Sequence, residues 1–368
     1  MTVPARAVLA LGVVAAILLP TTPVHADAVR DAQWQLGFLH IDQAHQQTQG
    51  DGVVVGLVDT GVDGAHQDLT GSVLSGTDLV NPGGDGRGDE DGHGTALAAL
   101  IAAHGHGSAG ILGIAPKASV LPVRARSGKF GVGDRDVAGV DWATQHGAKV
   151  LCLAFGGSRS PKLEQAIEQA QAADIVIVAA AGNQPLERRV SGPAEYPGVL
   201  AVGAVDQAGN HAAVSVTGKE IAISAPGQEV ATAAPGNKYG KGTGTSEATA
   251  IIAGVAALVR AKYPQLSAAE VIHRITATAI DKGPPGRDEQ YGFGIVDPVA
   301  ALTANVPPLQ ASTAPTTAAP TPDGARPPVA KDKTTNRTAL VVILALIGLI
   351  LVAGAAGVIV VLTRSRRS

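Results

Sequence analysis

Gly52-Val53-Val54-Val55-Gly56-Leu57-Val58-Asp59-Thr60-Gly61 is an apolar run that stops on a carboxylate and then a glycine. Its apolar residues stand at successive rather than alternate positions, the pattern of a strand buried on both faces. Residues 119–123, 149–155, 175–180 and 200–205 repeat that pattern. Between them, residues 94–103, 134–146 and 161–173 carry helical spacing, and in the last of these Leu163, Ala166, Ile167 and Ala170 share one face. Buried strands alternating with helices of this length predict an α/β fold: a mostly parallel central sheet covered by helices on both faces. In such sheets functional side chains gather at the carboxyl ends of strands, which is where Asp59 stands.

Two further segments belong with Asp59. His93 lies in Gly92-His93-Gly94-Thr95. Ser246 lies in Gly242-Thr243-Gly244-Thr245-Ser246-Glu247-Ala248-Thr249-Ala250, a glycine-rich turn that runs into a helix expected over about 247–262. Asp, then His about thirty residues on, then Ser about a hundred and fifty further, is one of three chain orders known for a serine-hydrolase triad. A serine hydroxyl is a weak nucleophile until an imidazole takes its proton, and a carboxylate at a strand end can hold that imidazole in one tautomer. Singly, each residue has a plain structural explanation: a helix cap for Ser246, a turn for Asp59, a surface position for His93. Their order and settings together favour catalysis. Asn183, in Ala179-Ala180-Ala181-Gly182-Asn183 after another buried strand, is placed to donate its side-chain amide to a developing oxyanion, although Asn also suits turns for its local hydrogen bonding.

On Asp59-Thr60-Gly61-Val62-Asp63, His93-Gly94-Thr95, Ala181-Gly182-Asn183 and Gly244-Thr245-Ser246, the chain resembles the subtilisin-like serine peptidases (subtilases). Within them it resembles the mycosins, membrane-anchored proteases that accompany type VII secretion in actinobacteria. The resemblance implies a subtilisin-like three-layer fold over residues 51–304, a catalytic triad of Asp59, His93 and Ser246, and Asn183 as oxyanion-hole donor. It also implies that substrate adds as a strand beside Ala154-Phe155-Gly156-Gly157, making Phe155, Gly156 and Gly157 substrate-binding residues, with an opposite wall near residues 124–133. No cofactor is required. The family admits a structural calcium ion, but the acidic run Asp85, Asp89, Asp91 lacks the ligand order that would assign one.

The chain departs from the family pattern in places. Glu247 follows the serine where a large apolar residue is usual. An acid suits the first turn of a helix, yet it sets a negative charge beside the nucleophile, which opposes an oxyanion or raises the histidine pKa. Ala96-Leu97 replaces the common His-Val after His93-Gly94-Thr95. Mycobacterial mycosins are usually stapled by disulfides, whereas Cys152 is the only cysteine here; its setting reads as a buried strand thiol, so stability must come from the core. His104 and His106 have no further ligands at zinc spacing and read as a solvated loop.

The ends suggest where the chemistry takes place. Residues 1–26 read as a signal peptide: Arg6, an apolar stretch from Val8 to Leu19, and Val24-His25-Ala26 before the cut. Residues 27–50 form a short N-terminal extension whose Trp34, Leu36, Phe38, Leu39 and Ile41 are expected to pack on the catalytic domain and stay attached. Residues 305–338 are rich in Pro, Ala and Thr and read as an extended linker. Residues 339–362 are apolar and uncharged and would span about 36 Å as a helix, enough for a hydrocarbon core of about 30 Å. Residues 363–368 carry three arginines and are expected on the cytoplasmic side. The expectation is therefore a single-pass protein of the cell membrane with its catalytic domain outside and its C-terminus in the cytoplasm. Its partners would be protein or peptide substrates and a type VII secretion membrane complex. A net charge of −3 without a basic stripe argues against nucleic acid. The competing function is structural, with the domain stabilising a secretion complex and proteolysis weak or dispensable. A general nutrient protease is disfavoured, because a tether removes the reach that degradation requires.

Overall fold

The apolar segment that ends on Asp59 becomes an interior strand of the sheet. The computed structural model describes residues 28–127 and 133–309. In chain order it begins with three short helices, α1 (Ala28–Asp31), α2 (Trp34–Phe38) and α3 (Ile41–His45). Then come β1 (Val54–Asp59), β2 (Thr77–Asp78), α4 (His93–Ala102), β3 (His104–His106), β4 (Ala109–Leu112), β5 (Ser119–Arg124) and α5 (Asp134–Gln145). The chain continues through β6 (Val150–Leu153), α6 (Pro161–Ala172), β7 (Val176–Ala180), β8 (Leu200–Val205) and β9 (Ile223–Pro226). It closes with β10 (Val230–Ala234), β11 (Lys238–Gly242), α7 (Thr245–Lys262), α8 (Ala268–Ala277) and α9 (Pro298–Thr303).

Seven strands make one sheet in the order β2-β5-β1-β6-β7-β8-β9, every pair parallel. Alternation within each strand feeds two separate cores. Val150 and Cys152 of β6 and Val176 and Val178 of β7 pack in the core built on α4 and α7. Leu151, Leu153, Ile177 and Ala179 pack on the opposite face, in the core built on α5 and α6. There Leu163, Ala166, Ile167 and Ala170 are the buried face of α6. Both sides of every central strand are therefore covered, which is why the sequence shows apolar runs rather than alternation.

Strand order reverses at β1: the chain leaves it toward β5 on one flank and returns through α5 to β6 on the other. In open parallel sheets the crevice at such a reversal, outside the carboxyl ends of the strands, is where ligands bind. Asp59 is the last residue of β1.

The strand expected over 149–155 ends at Leu153, which frees residues 154–157 from the sheet. The helix expected from 247, α7, begins at Thr245, so Ser246 lies inside its first turn. β2, β9 and the antiparallel β10–β11 hairpin had no signal in the sequence, because β2 has only two residues and β11 is glycine-rich and largely exposed. His104 and His106 correct the loop expectation: they form β3, paired with β4. His106 Nδ1 donates to the buried Asp68 at 2.7 Å, and His104 Nε2 lies 2.9 Å from the Thr70 carbonyl.

The extension packs into the domain. Leu39 and Ile41 are buried in the larger core, with Trp34, Leu36 and Phe38 half-buried against it. Gln33 Nε2 donates to the Leu112 carbonyl at 2.9 Å while Leu112 N–H donates back to Gln33 Oε1 at 2.8 Å, and Gln35 Nε2 donates to the Ala231 carbonyl. Among the described residues no helix is long and apolar enough to cross a membrane. The leader expected at 1–26, the linker from 310 on, the span expected at 339–362 and the basic tail lie outside the described residues.

Candidate active site

Asp59 reaches the end of β1 almost wholly buried, 1% exposed. Its Oδ1 accepts from His93 Nδ1 at 2.8 Å and from the Thr60 amide at 2.8 Å. Burial acts hardest on this carboxyl and disfavours its charge. The charge of His93, the hydrogen bonds from His93 and Thr60 and the charge of Arg126 together outweigh it, and hold the pKa below the ordinary carboxylate value. Because Nδ1 carries the proton given to Asp59, the neutral ring keeps its acceptor lone pair on Nε2.

His93 is the first residue of α4, after Gly92 at φ 92°, a left-handed conformation that glycine adopts without steric cost. The acidic run that precedes it serves the fold. Asp89 Oδ1 accepts from Thr60 Oγ1, Asp91 N and Gly92 N, and Oδ2 accepts from Thr95 N at 2.9 Å and Thr95 Oγ1 at 2.6 Å. Asp85 accepts from Arg87 N and Asp91 from His93 N. Asp89 thus ties the strand end after Asp59 to the helix start that carries His93. Among the described residues no group of three or more His, Cys, Asp or Glu could hold a metal ion. Gly94 has a steric reason to lack a side chain, since a Cβ there would lie 2.0 Å from the Gly61 carbonyl oxygen.

Ser246 is 8% exposed, and its Oγ lies 3.4 Å from the Ala154 carbonyl oxygen. Backbone N–H groups in the first turn of a helix have no acceptor within that helix, so the Ser246 amide is a ready donor. The glycines before it adopt no left-handed backbone: Gly244 is extended at φ 167°, and Gly242 ends β11. Their bareness makes room, because a Cβ on Gly242 would meet Glu247 Oε1 at 2.1 Å, and one on Gly244 would meet the Asn183 amide at 3.2 Å. The Glu247 carboxylate therefore packs back on the turn that precedes its own helix.

Asn183 is oriented by Thr245. Asn183 Oδ1 accepts from Thr245 N at 2.8 Å and Thr245 Oγ1 at 3.2 Å, which fixes the amide so that its NH2 points away from Thr245. His93, Ser246 and Asn183 line one cleft of about 400 Å³ whose walls include Gly156, Gly157 and Gly182. Phe155 also lines it, but its ring is 2% exposed and lies under the Arg126 guanidinium, 4.3 Å from the ring centroid. Of the expected opposite wall, Arg124 pairs with Asp78 and Glu90 and Arg126 with Asp136; residues 128–132 lie outside the described residues.

The structure thus brings Asp59, His93, Ser246, Asn183 and residues 155–157 together from five separate segments. Sequence reasoning missed the contacts made by Asp89 and Thr245, and Glu187 altogether. The last lines the cleft, and its carboxylate accepts from Asn183 N at 2.8 Å and Ser191 Oγ at 3.0 Å. Thr245 stood inside a quoted motif, but nothing local marked its partner.

The chain is similar to known proteins in sequence and in fold. The subtilase family profile matches residues 50–294. Subtilisin DY of Bacillus licheniformis is 40% identical over 261 residues, which is 70% of this chain and 93% of that protein. Among solved structures, a serine protease MycP1, described as an essential component of the type VII (ESX-1) secretion system, aligns with TM-score 0.66 at 30% identity, covering 74% of this chain and 88% of that one. The MycP3 protease from the type VII (ESX-3) secretion system aligns with TM-score 0.66 at 32% identity, with the same coverages.

Proposed function

The chain belongs to the subtilase family of serine endopeptidases, and from that premise we propose that it hydrolyses peptide bonds through Asp59, His93 and Ser246 while tethered outside the cell membrane beside a type VII secretion complex. The observation that carries the catalytic part is the 2.8 Å hydrogen bond from His93 Nδ1 to the buried Asp59, with His93 and Ser246 on one cleft. The tether rests on the sequence of residues 339–362. The secretion partner rests on likeness to MycP1 and MycP3.

In this mechanism Ser246 Oγ attacks the substrate carbonyl carbon as His93 Nε2 takes the hydroxyl proton. Asp59 stabilises the imidazolium that results and keeps its ring oriented. The Ser246 amide and the Asn183 side-chain NH2 receive the negative charge on the tetrahedral oxygen. His93 then protonates the leaving amine, and water repeats the sequence on the acyl-enzyme. The test is labelling by a fluorophosphonate. The wild-type chain should label and Ser246→Ala should not; a folded wild-type protein that stays unlabelled would refute the catalytic role.

A second reading has one observation in its favour, the description of MycP1 as a component of its secretion system. In that reading the domain braces the complex and hydrolysis is secondary. Secretion that survives Ser246→Ala but not removal of the whole chain would support it.

A further inference from the structure

Two acids, Glu187 and Glu247, line the cleft beside Ser246. Two backbone segments bound it, Ala154 to Gly157 and Ala180 to Asn183, and the Glu187 carboxylate lies against both. A Cβ on Gly156 would meet Glu187 Oε1 at 1.9 Å, and one on Gly182 would meet Glu187 Oε2 at 2.8 Å. Both walls are bare backbone where the carboxylate approaches, so it is reached from the cleft without crossing a side chain of either glycine. The Asn183 amide and the Ser191 hydroxyl hold it in place. One hydrogen bond to each oxygen leaves acceptor capacity on both, since a carboxylate offers about four lone-pair sites. Glu247 is a second acid on the same cleft, and among the described residues no lysine or arginine lines it. With Glu187 in position the cleft as a whole keeps about 400 Å³ open.

In the peptidase reading, an acyl residue whose carbonyl meets the Ser246 N–H and the Asn183 side-chain amide has its own side chain in the same cleft, which those two segments line. We infer that Glu187 selects lysine or arginine as the residue on the acyl side of the cleaved bond. The inference rests on the peptidase reading of Ser246 and deepens it. A long side chain suits the pocket because its methylenes run along the glycine walls while its cationic end meets the carboxylate. An acidic substrate residue is excluded for the converse reason, as it would bring a third negative charge into a partly dehydrated cleft.

The test uses the full chain and a series of peptidyl diphenyl phosphonates that differ only in the side chain next to phosphorus: lysine, arginine, alanine, leucine or glutamate. The lysine and arginine probes should label Ser246 faster than the alanine and leucine probes by on the order of 10- to 100-fold, the range a hydrogen bond to a charged group converts to. The glutamate probe should label slowest. In Glu187→Gln, which keeps the shape of the side chain, the lysine-to-alanine ratio should fall to within about threefold. A wild-type preference for alanine or leucine overturns the inference, and so does a ratio that survives Glu187→Gln. If that variant does not fold, the wild-type ranking decides alone. Labelling by a simple fluorophosphonate separates the two claims: its failure overturns the peptidase reading, whereas its success with a neutral preference overturns only the role of Glu187.

Discussion

Thr245 gives both its backbone N–H and its hydroxyl to Asn183 Oδ1, at 2.8 and 3.2 Å. The residue before the proposed nucleophile therefore orients the proposed second oxyanion donor, so in that mechanism the amide NH2 is aimed before substrate arrives. Preorganised donors are effective because they do not reorient during reaction. Asn183→Leu should lower kcat by about 100- to 1000-fold with little change in KM. Thr245→Val removes one of the two hydrogen bonds and should cost about tenfold or less. Steady-state kinetics on one peptide substrate checks both, and a larger loss for Thr245→Val than for Asn183→Leu would contradict the assignment.

Asp59 makes stability depend on acid pH in a fixed direction. Its pKa in the folded chain lies below the ordinary 3.8, so the unfolded state binds the proton more readily. Its contribution is complete above the unfolded pKa and disappears as pH falls through the lower folded value. Asp59→Asn should flatten the acid limb of the stability curve below about pH 4, and should lower kcat by about 10⁴-fold at neutral pH. Chemical unfolding at a series of pH values, beside activity, reads both effects.

In the proposed mechanism Asp89 would be a positioning residue. It ties Thr60 to Thr95 and so sets Asp59 and His93 in register. Asp89→Ala leaves partly buried donors unpaired at a cost of about 1–3 kcal/mol each. The expected result is a clear drop in thermal midpoint with a larger drop in kcat than in KM. Unchanged kcat in the folded variant would reduce Asp89 to a local turn residue.

Glu247 packs against the turn at the N-terminus of α7, where an acid is favoured by the helix dipole by about 0.3–1 kcal/mol. In the proposed mechanism the same charge lines the cleft in which the oxyanion would form. Glu247→Gln should therefore lose a few tenths of a kcal/mol of stability and gain a few-fold in kcat. Opposite signs in the two measurements are the signature, and a loss in both would mean that the carboxylate assists the reaction.

Cys152 is buried in β6, and burial, with the nearby Asp59 charge second, pushes its thiol pKa up. Since the thiolate is the reactive form, the folded chain should resist thiol reagents and react promptly in denaturant. A colorimetric thiol assay under both conditions checks this.

How much was legible in advance varied with the range of the interaction. The strand at 200–205 and the start of α6 were read to the residue, because continuous apolar runs and helical spacing are local signals. The strand at 149–155 was read too long, because Ala154 and Phe155 are as buried as strand residues although they have left the sheet. The acids before His93 were legible as a cluster but not as a brace, since their partners Thr60 and Thr95 are named only by the folded contact.

Chain order and local pattern alone determined the parallel α/β class and the residue types available for acyl transfer, because two-sided burial and glycine-bounded turns are written in neighbouring residues. The alignment of Asp59 with His93, the orientation of Asn183 by Thr245 and the Glu187 carboxylate against Gly156 and Gly182 were decided only by tertiary structure. These contacts join segments brought together by the strand reversal at β1 or by loop closure, and hydrogen-bond direction depends on backbone geometry that residue identity does not encode.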